Sequence, residues 1–134
     1  INQSISYCQE LIDLYAATEP IDMEWTQQLD RLKAILANTT VDNTVDLLQT
    51  TDSDKAVFNK VYQYILYRQI DMLAEYSLDA LVRYAFDAAL FIGLAAREFG
   101  NRPEQIRRWS EQIEYDEDNV AFLFDAYEKS NYDI

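Results

Sequence analysis

A chain of 134 residues with a formal net charge of -13, no histidine, one cysteine and two glycines is long enough to bury one hydrophobic core without cross-links. That composition excludes Ser-His-Asp and Cys-His catalysis, His-ligated zinc and a disulfide framework within the chain. Two Gly and two Pro give few tight turns for a sheet, so a single all-α domain over residues 1 to 134 is expected.

The first helix is predicted over about residues 3 to 17. Ile5, Cys8, Ile12 and Tyr15 recur there at spacings of three and four, and Leu11 widens the stripe. Cys8 lies on that stripe with no basic neighbour to activate its thiol, so it reads as a core residue. Pro20 closes the connection, and Asp22 caps a second helix whose apolar face is Trp25, Leu29, Leu32 and Leu36. Asn38-Thr39-Thr40 breaks it, and Val41, Val45 and Leu48 suggest one or two further helical turns.

A third helix is predicted from Ser53 or Asp54 to about Glu75, with Val61, Tyr62, Ile65, Leu66, Ile70 and Leu73 forming a wide apolar face. The central element follows, over about residues 78 to 99. Between Tyr84 and Ala96 only Asp87 carries a charge, and a helix apolar on nearly every side is a buried one. It would run roughly 33 Å, with Ser77 capping its start and Gly100 ending it. Ala85, Ala89 and Gly93 form a ridge of small side chains, and Ala88, Ala95 and Ala96 leave further room for neighbours. After Gly100, Asn101 and Glu104 make a capping box with Pro103 in the first turn, opening a helix to about Ile113. A last helix from about 117 to 129 presents Val120, Leu123, Phe124 and Tyr127. The expected architecture is an irregular bundle of five to six helices around the central one.

The densest apolar run, residues 88 to 96, falls well short of the roughly twenty residues a membrane span needs. A lone cysteine suits a reducing compartment, so a soluble cytoplasmic protein is expected, with no membrane partner.

Residues 92 to 109 resemble the helix-turn-helix pattern of DNA-binding regulators. Ala96, Gly100 and Ile106 match its small, turn and buried positions, and Asn101 stands where an apolar residue usually packs the turn. The resemblance implies a recognition helix carrying Arg102, Arg107 and Arg108. The acid run from Glu111 to Asp118 opposes phosphate contact, so nucleic acid is not the expected partner.

Asp87 has Arg83 one turn before it, and an i, i+4 ion pair would satisfy it locally. The alternative places Asp87 in a pocket with Tyr84 and Phe91, facing a polar ligand. Carboxylates on helices can hold Mg²⁺, as in all-α nucleotide pyrophosphohydrolases with their Glu-x-x-Glu and Glu-x-x-Asp pairs, and Glu10-x-x-Asp13, Glu111-x-x-Glu114 and Asp71-x-x-x-Glu75 have helical-face spacing. Neither their doubled Glu motif nor a basic phosphate clamp accompanies the pairs, so no metal or cofactor is expected.

Charge is the most informative bulk property. Residues 1 to 30 contain six acids and no base, and residues 110 to 134 contain eight acids against Lys129, whereas acids and bases balance between them. Chain ends often lie close in a compact domain, so one continuous negative face can form and attract a basic partner. Among ten tyrosines, Tyr62, Tyr76 and Tyr84 fit core or pocket positions, and Tyr64, Tyr67, Tyr115 and Tyr132 fit exposed ones suited to protein recognition. The leading expectation is a non-enzymatic interaction module, such as an inhibitor or immunity-type protein. It would engage a basic protein surface through Glu10, Asp13, Glu111, Glu114, Tyr115, Asp116, Glu117 and Asp118. The alternatives are a DNA-binding regulator and a helical enzyme or small-ligand protein using carboxylate clusters.

Overall fold

Six α-helices are arranged as a bundle, seen in a computed structural model that describes residues 5–38 and 52–132. They are α1 (Ile5–Ala16), α2 (Met23–Ala37), α3 (Asp52–Arg68), α4 (Leu78–Phe99), α5 (Arg102–Trp109) and α6 (Glu117–Tyr132). A 3₁₀ helix, Ile70–Ala74, joins α3 to α4, and a π-helical segment, Ser110–Glu114, continues α5. No strand occurs among the described residues. The turns suggested around Val41, Val45 and Leu48 lie outside them.

Helix α4 is the element the others pack against: α3, α5, α6 and α1 all touch it, and α2 lies on α1. Its sequence explains this role. Ala80, Leu81, Ala85, Ala88, Leu90 and Ala95 are completely buried, and alanines let neighbouring backbones approach closely on more than one side. Two aromatic clusters fasten those sides. Phe91 meets Tyr15 of α1 at 4.9 Å and Trp25 of α2 at 5.4 Å between ring centroids. Tyr84 stacks on Phe124 of α6 at 4.6 Å and meets Trp109 of α5 edge-on at 6.0 Å. Offset and edge-to-face pairs of this kind add to the stabilisation from burial alone.

Both ends of α4 follow the sequence pattern. The Ser77 hydroxyl accepts from the Ala80 N–H at 3.1 Å, and Glu128 of α6 receives the Ser77 N–H at 3.0 Å and its hydroxyl at 2.6 Å. The cap thereby also ties α6 to the start of α4. At the other end Gly100 has φ 71° and ψ -176°, a region open essentially to glycine alone. Asn101 follows in the left-handed conformation, its side chain accepting from the Glu104 N–H at 3.3 Å. Only this half of the capping box forms, because the Glu104 carboxylate turns to Arg107 instead.

The third helix differs from its predicted extent. It ends at Arg68, and residues 70 to 74 tighten into the 3₁₀ turn. Ile70 and Leu73 continue the apolar spacing but are 44% and 41% exposed, so no core burial holds them in a straight helix. The segment instead serves the reversal into α4, where the Tyr76 hydroxyl donates to Asp125 at 2.6 Å. That bond pushes the Tyr76 hydroxyl pKa up to about 12. No helix of the described residues is long and apolar enough to cross a membrane.

Candidate functional site

The loop between α1 and α2 is sewn to the corner between α5 and α6 by two buried amides. Gln112 is 1% exposed and Asn119 is 3% exposed. Gln112 Nε2 donates to the Glu19 carbonyl at 2.7 Å and to Thr18 Oγ1 at 3.1 Å, and its Oε1 accepts the Ile21 N–H at 2.7 Å. Asn119 Oδ1 accepts the Glu19 N–H at 2.9 Å, while Nδ2 donates to the Glu19 carbonyl at 3.0 Å and the Gln112 carbonyl at 2.9 Å. Every one of these bonds satisfies a backbone or side-chain group that could not otherwise be buried without cost. Gln112 sits in the π segment, a local widening of the helix frequently found at functional sites.

This sewing brings acidic residues from both ends of the chain to one place. A groove of about 580 Å³ is lined by Glu19, Pro20 and Ile21 on one side and by Glu111, Tyr115, Asp116, Glu117 and Asp118 on the other. Glu19, Glu117 and Asp118 make no ion pair among the described residues. Glu111 is paired with Arg107 at 2.5 Å. Asp116 also has a local duty, since its Oδ1 accepts the N–H groups of Asp118 at 3.0 Å and Asn119 at 3.1 Å and so caps α6. Glu117 and Asp118 in the first turn complement the positive end of the helix dipole. Tyr115 is 65% exposed at the edge of the groove.

The remaining predicted positions are elsewhere. Asp13 pairs with Lys33 of α2 at 2.9 Å, both side chains largely exposed, and Glu10 is exposed on α1. Neither lines the groove. Glu114 faces away from it, its side chain only 4% exposed and joined to Arg68 at 2.9 Å. Among the described residues no group of three His, Cys, Asp or Glu side chains is placed to hold a metal.

The three arginines do not form an open cationic patch. Arg107 is clamped between Glu104 and Glu111, which raises its pKa through those hydrogen bonds and holds the Glu104 carboxyl below its usual range. Arg108 reaches Glu24 of α2 at 2.5 Å. Arg102 makes no ion pair among the described residues.

Asp87 is 2% exposed, and the expected pairing with Arg83 is replaced by hydrogen bonds from two tyrosine hydroxyls, Tyr7 at 2.5 Å and Tyr127 at 2.6 Å. Arg83 lies instead over the Tyr127 ring, 5.0 Å from its centroid. Burial pushes the Asp87 carboxyl up, opposed by those two hydrogen bonds and by the Arg83 charge. The pocket expected with Tyr84 and Phe91 is not open either: Asp87, Tyr84 and Phe91 are at most 2% exposed and line neither the acidic groove nor the cleft between α3 and α5. Asp87 is thus a structural cross-brace between α1, α4 and α6.

Sequence reasoning missed Gln28, Gln105, Gln112 and Asn119, all nearly buried. Gln28 Nε2 donates to Gln105 Oε1 at 2.7 Å, linking α2 to α5. The available signal was position: Gln28 falls on the stripe of Trp25, Leu29 and Leu32, and Gln112 lies three residues after Trp109. A neutral amide on an apolar stripe must find partners inside.

The chain matches no protein-family model, and no curated protein or solved structure shows significant similarity to it.

Proposed function

We propose that the chain is a non-enzymatic protein-interaction module whose acidic groove receives a basic segment of a partner protein. The observation that carries this reading is the convergence of Glu19 with Glu117 and Asp118 across the loop held by Gln112 and Asn119. Three carboxylates without internal ion pairs on one groove create a concentrated negative potential, which steers a basic partner and fixes its orientation. Ile21, Met23 and Tyr115 are 52%, 76% and 65% exposed and add apolar and aromatic area of the type that anchors protein contacts. A partner whose basic surface ordinarily meets nucleic acid has complementary chemistry, in keeping with an inhibitor or immunity-type role. The ion pairs of Arg107 and Arg108 with Glu104, Glu111 and Glu24 favour this reading over DNA binding, since phosphate contact would have to displace them.

The test is titration with an arginine-rich peptide over a range of salt concentrations. Combined Glu19→Gln, Glu117→Gln and Asp118→Asn should weaken binding by about tenfold or more at low salt, and combined Glu10→Gln and Asp13→Asn should change it far less. Equal weakening by both sets would mean that only net charge matters, and the groove would be discarded as the site.

A further inference from the structure

On the other side of the π segment lies a second cleft, independent of the acidic groove. It is about 280 Å³ in volume and runs between α3 and the α5–π junction. Val61, Ile65, Ile106 and Trp109 supply apolar walls, and the half-exposed Tyr64 stands beside them. Two polar groups face this apolar space. Ser110 is 7% exposed, and its hydroxyl makes no hydrogen bond among the described residues. The Glu114 side chain is 4% exposed; Oε2 accepts Arg68 Nε at 2.9 Å, and Oε1 has no donor among the described residues.

Glu114 lines the cleft with its side chain nearly buried, and a ligand that enters and donates to Oε1 replaces the water that the cleft otherwise admits to it. The charges indicate which donor. Arg68 already balances Glu114, and Lys60 also lines the cleft, so there is no excess negative charge to draw in an ammonium group. An anion would face Glu114 itself. A neutral N–H or O–H meets neither objection. Aromatic side chains on the walls favour a flat ring, and a volume just below the roughly 300 Å³ at which ligand sites begin restricts the occupant to a small molecule. Apolar walls with a few convergent polar groups are the usual form of such a site.

We propose that this cleft binds a compact, neutral aromatic molecule bearing one N–H or O–H donor, of indole or phenol size, with the donor on Glu114 Oε1. The experiment compares indole with indene, a near-isostere that lacks the N–H, by amide and Trp109 side-chain chemical shifts in the full chain. Indole should shift the signals of residues 61 to 65 and 106 to 114 with a dissociation constant on the order of 1 mM or below. Indene should bind at least about tenfold more weakly, because a hydrogen bond to a charged acceptor is missing. Glu114→Gln should narrow that difference, and the wild-type comparison stands alone if this variant does not fold. Equal affinity for indole and indene, tighter binding of tryptamine than of indole, or shifts confined to other residues would each overturn the proposal. So would the absence of any shift at about 10 mM indole, well above the expected dissociation constant.

Discussion

Tyr127 on α6 donates a 2.6 Å hydrogen bond to Asp87 Oδ2 on α4, and Tyr7 on α1 donates one of 2.5 Å to Oδ1. Three helices distant in sequence thereby share one buried carboxylate. Its pKa is raised from 3.8, with burial the largest cause, so in the interval between 3.8 and the raised value the folded chain binds a proton that the unfolded chain does not. The Asp87 contribution to stability is therefore fully present at the acid end of that interval and is lost as pH rises through it.

Asp87→Asn removes this titration while keeping an acceptor for one hydroxyl and a donor for the other. The stability of the variant relative to wild type should improve as pH rises from about 4 to about 7, measured by urea unfolding. A difference independent of pH would mean that Asp87 does not titrate differently on folding. Tyr127→Phe should cost about 1–3 kcal/mol, with the larger cost at the higher pH, because an ionised carboxylate then loses a donor in the interior.

The same residue marks the limit of sequence reading. The extent of α4 was legible because its determinants are local: Ser77, an apolar run and Gly100 stand next to one another. The partners of Asp87 were not, since Tyr7 and Tyr127 are 80 and 40 residues away and only the packing of α1 and α6 on α4 brings them in. For the same reason Arg83 was expected as a partner on spacing alone. The end of α3 was missed because Ile70 and Leu73 keep the helical period while remaining 44% and 41% exposed, and periodicity does not reveal whether a stripe is covered. At the groove, the acid runs were legible as composition. The one N-terminal acid that reaches the groove, Glu19, is brought there by Gln112 and Asn119, uncharged residues that carry no signal in a charge tally.

Phe91 joins α4 to both N-terminal helices through its contacts with Tyr15 and Trp25 and is 2% exposed. Phe91→Ala should cost about 3–5 kcal/mol from lost burial and the cavity left behind. That is a large part of the 5–15 kcal/mol typical of a domain. The check is a lowered urea midpoint with an unchanged slope, the mark of a stability change without altered denatured-state compactness.

Gly100 combines φ 71° with open space, since an added Cβ would meet nothing within 4 Å. Gly100→Ala should therefore destabilise through backbone conformation alone, by about 1–3 kcal/mol. A loss far above this range in thermal unfolding would point to a steric clash that the geometry does not contain.

The amides at positions 112 and 119 allow the sharpest test of how the fold serves the groove. Asn119→Ala leaves the Glu19 N–H without its acceptor and the Gln112 carbonyl without its donor, while the Glu19 carbonyl keeps the bond from Gln112 Nε2 at 2.7 Å. Gln112→Ala frees the Ile21 N–H and removes a donor from Thr18 Oγ1 and from the Glu19 carbonyl. Each lost buried bond that leaves its partner unsatisfied costs about 1–3 kcal/mol. Because the two side chains share the Glu19 carbonyl and hold the same loop, their effects should not be additive, and a double-mutant cycle should return a coupling of about 0.5–3 kcal/mol. Neither substitution changes a charge. Hydrogen exchange at Glu19 and Ile21 should accelerate in both variants well before global unfolding, as expected when a loop is released locally. If the loop is what aligns Glu19 with Glu117 and Asp118, Asn119→Ala should also weaken binding of an arginine-rich peptide at unchanged net charge. Faster exchange with undiminished peptide binding would separate the loop from the groove and leave the acids at the start of α6 to act alone.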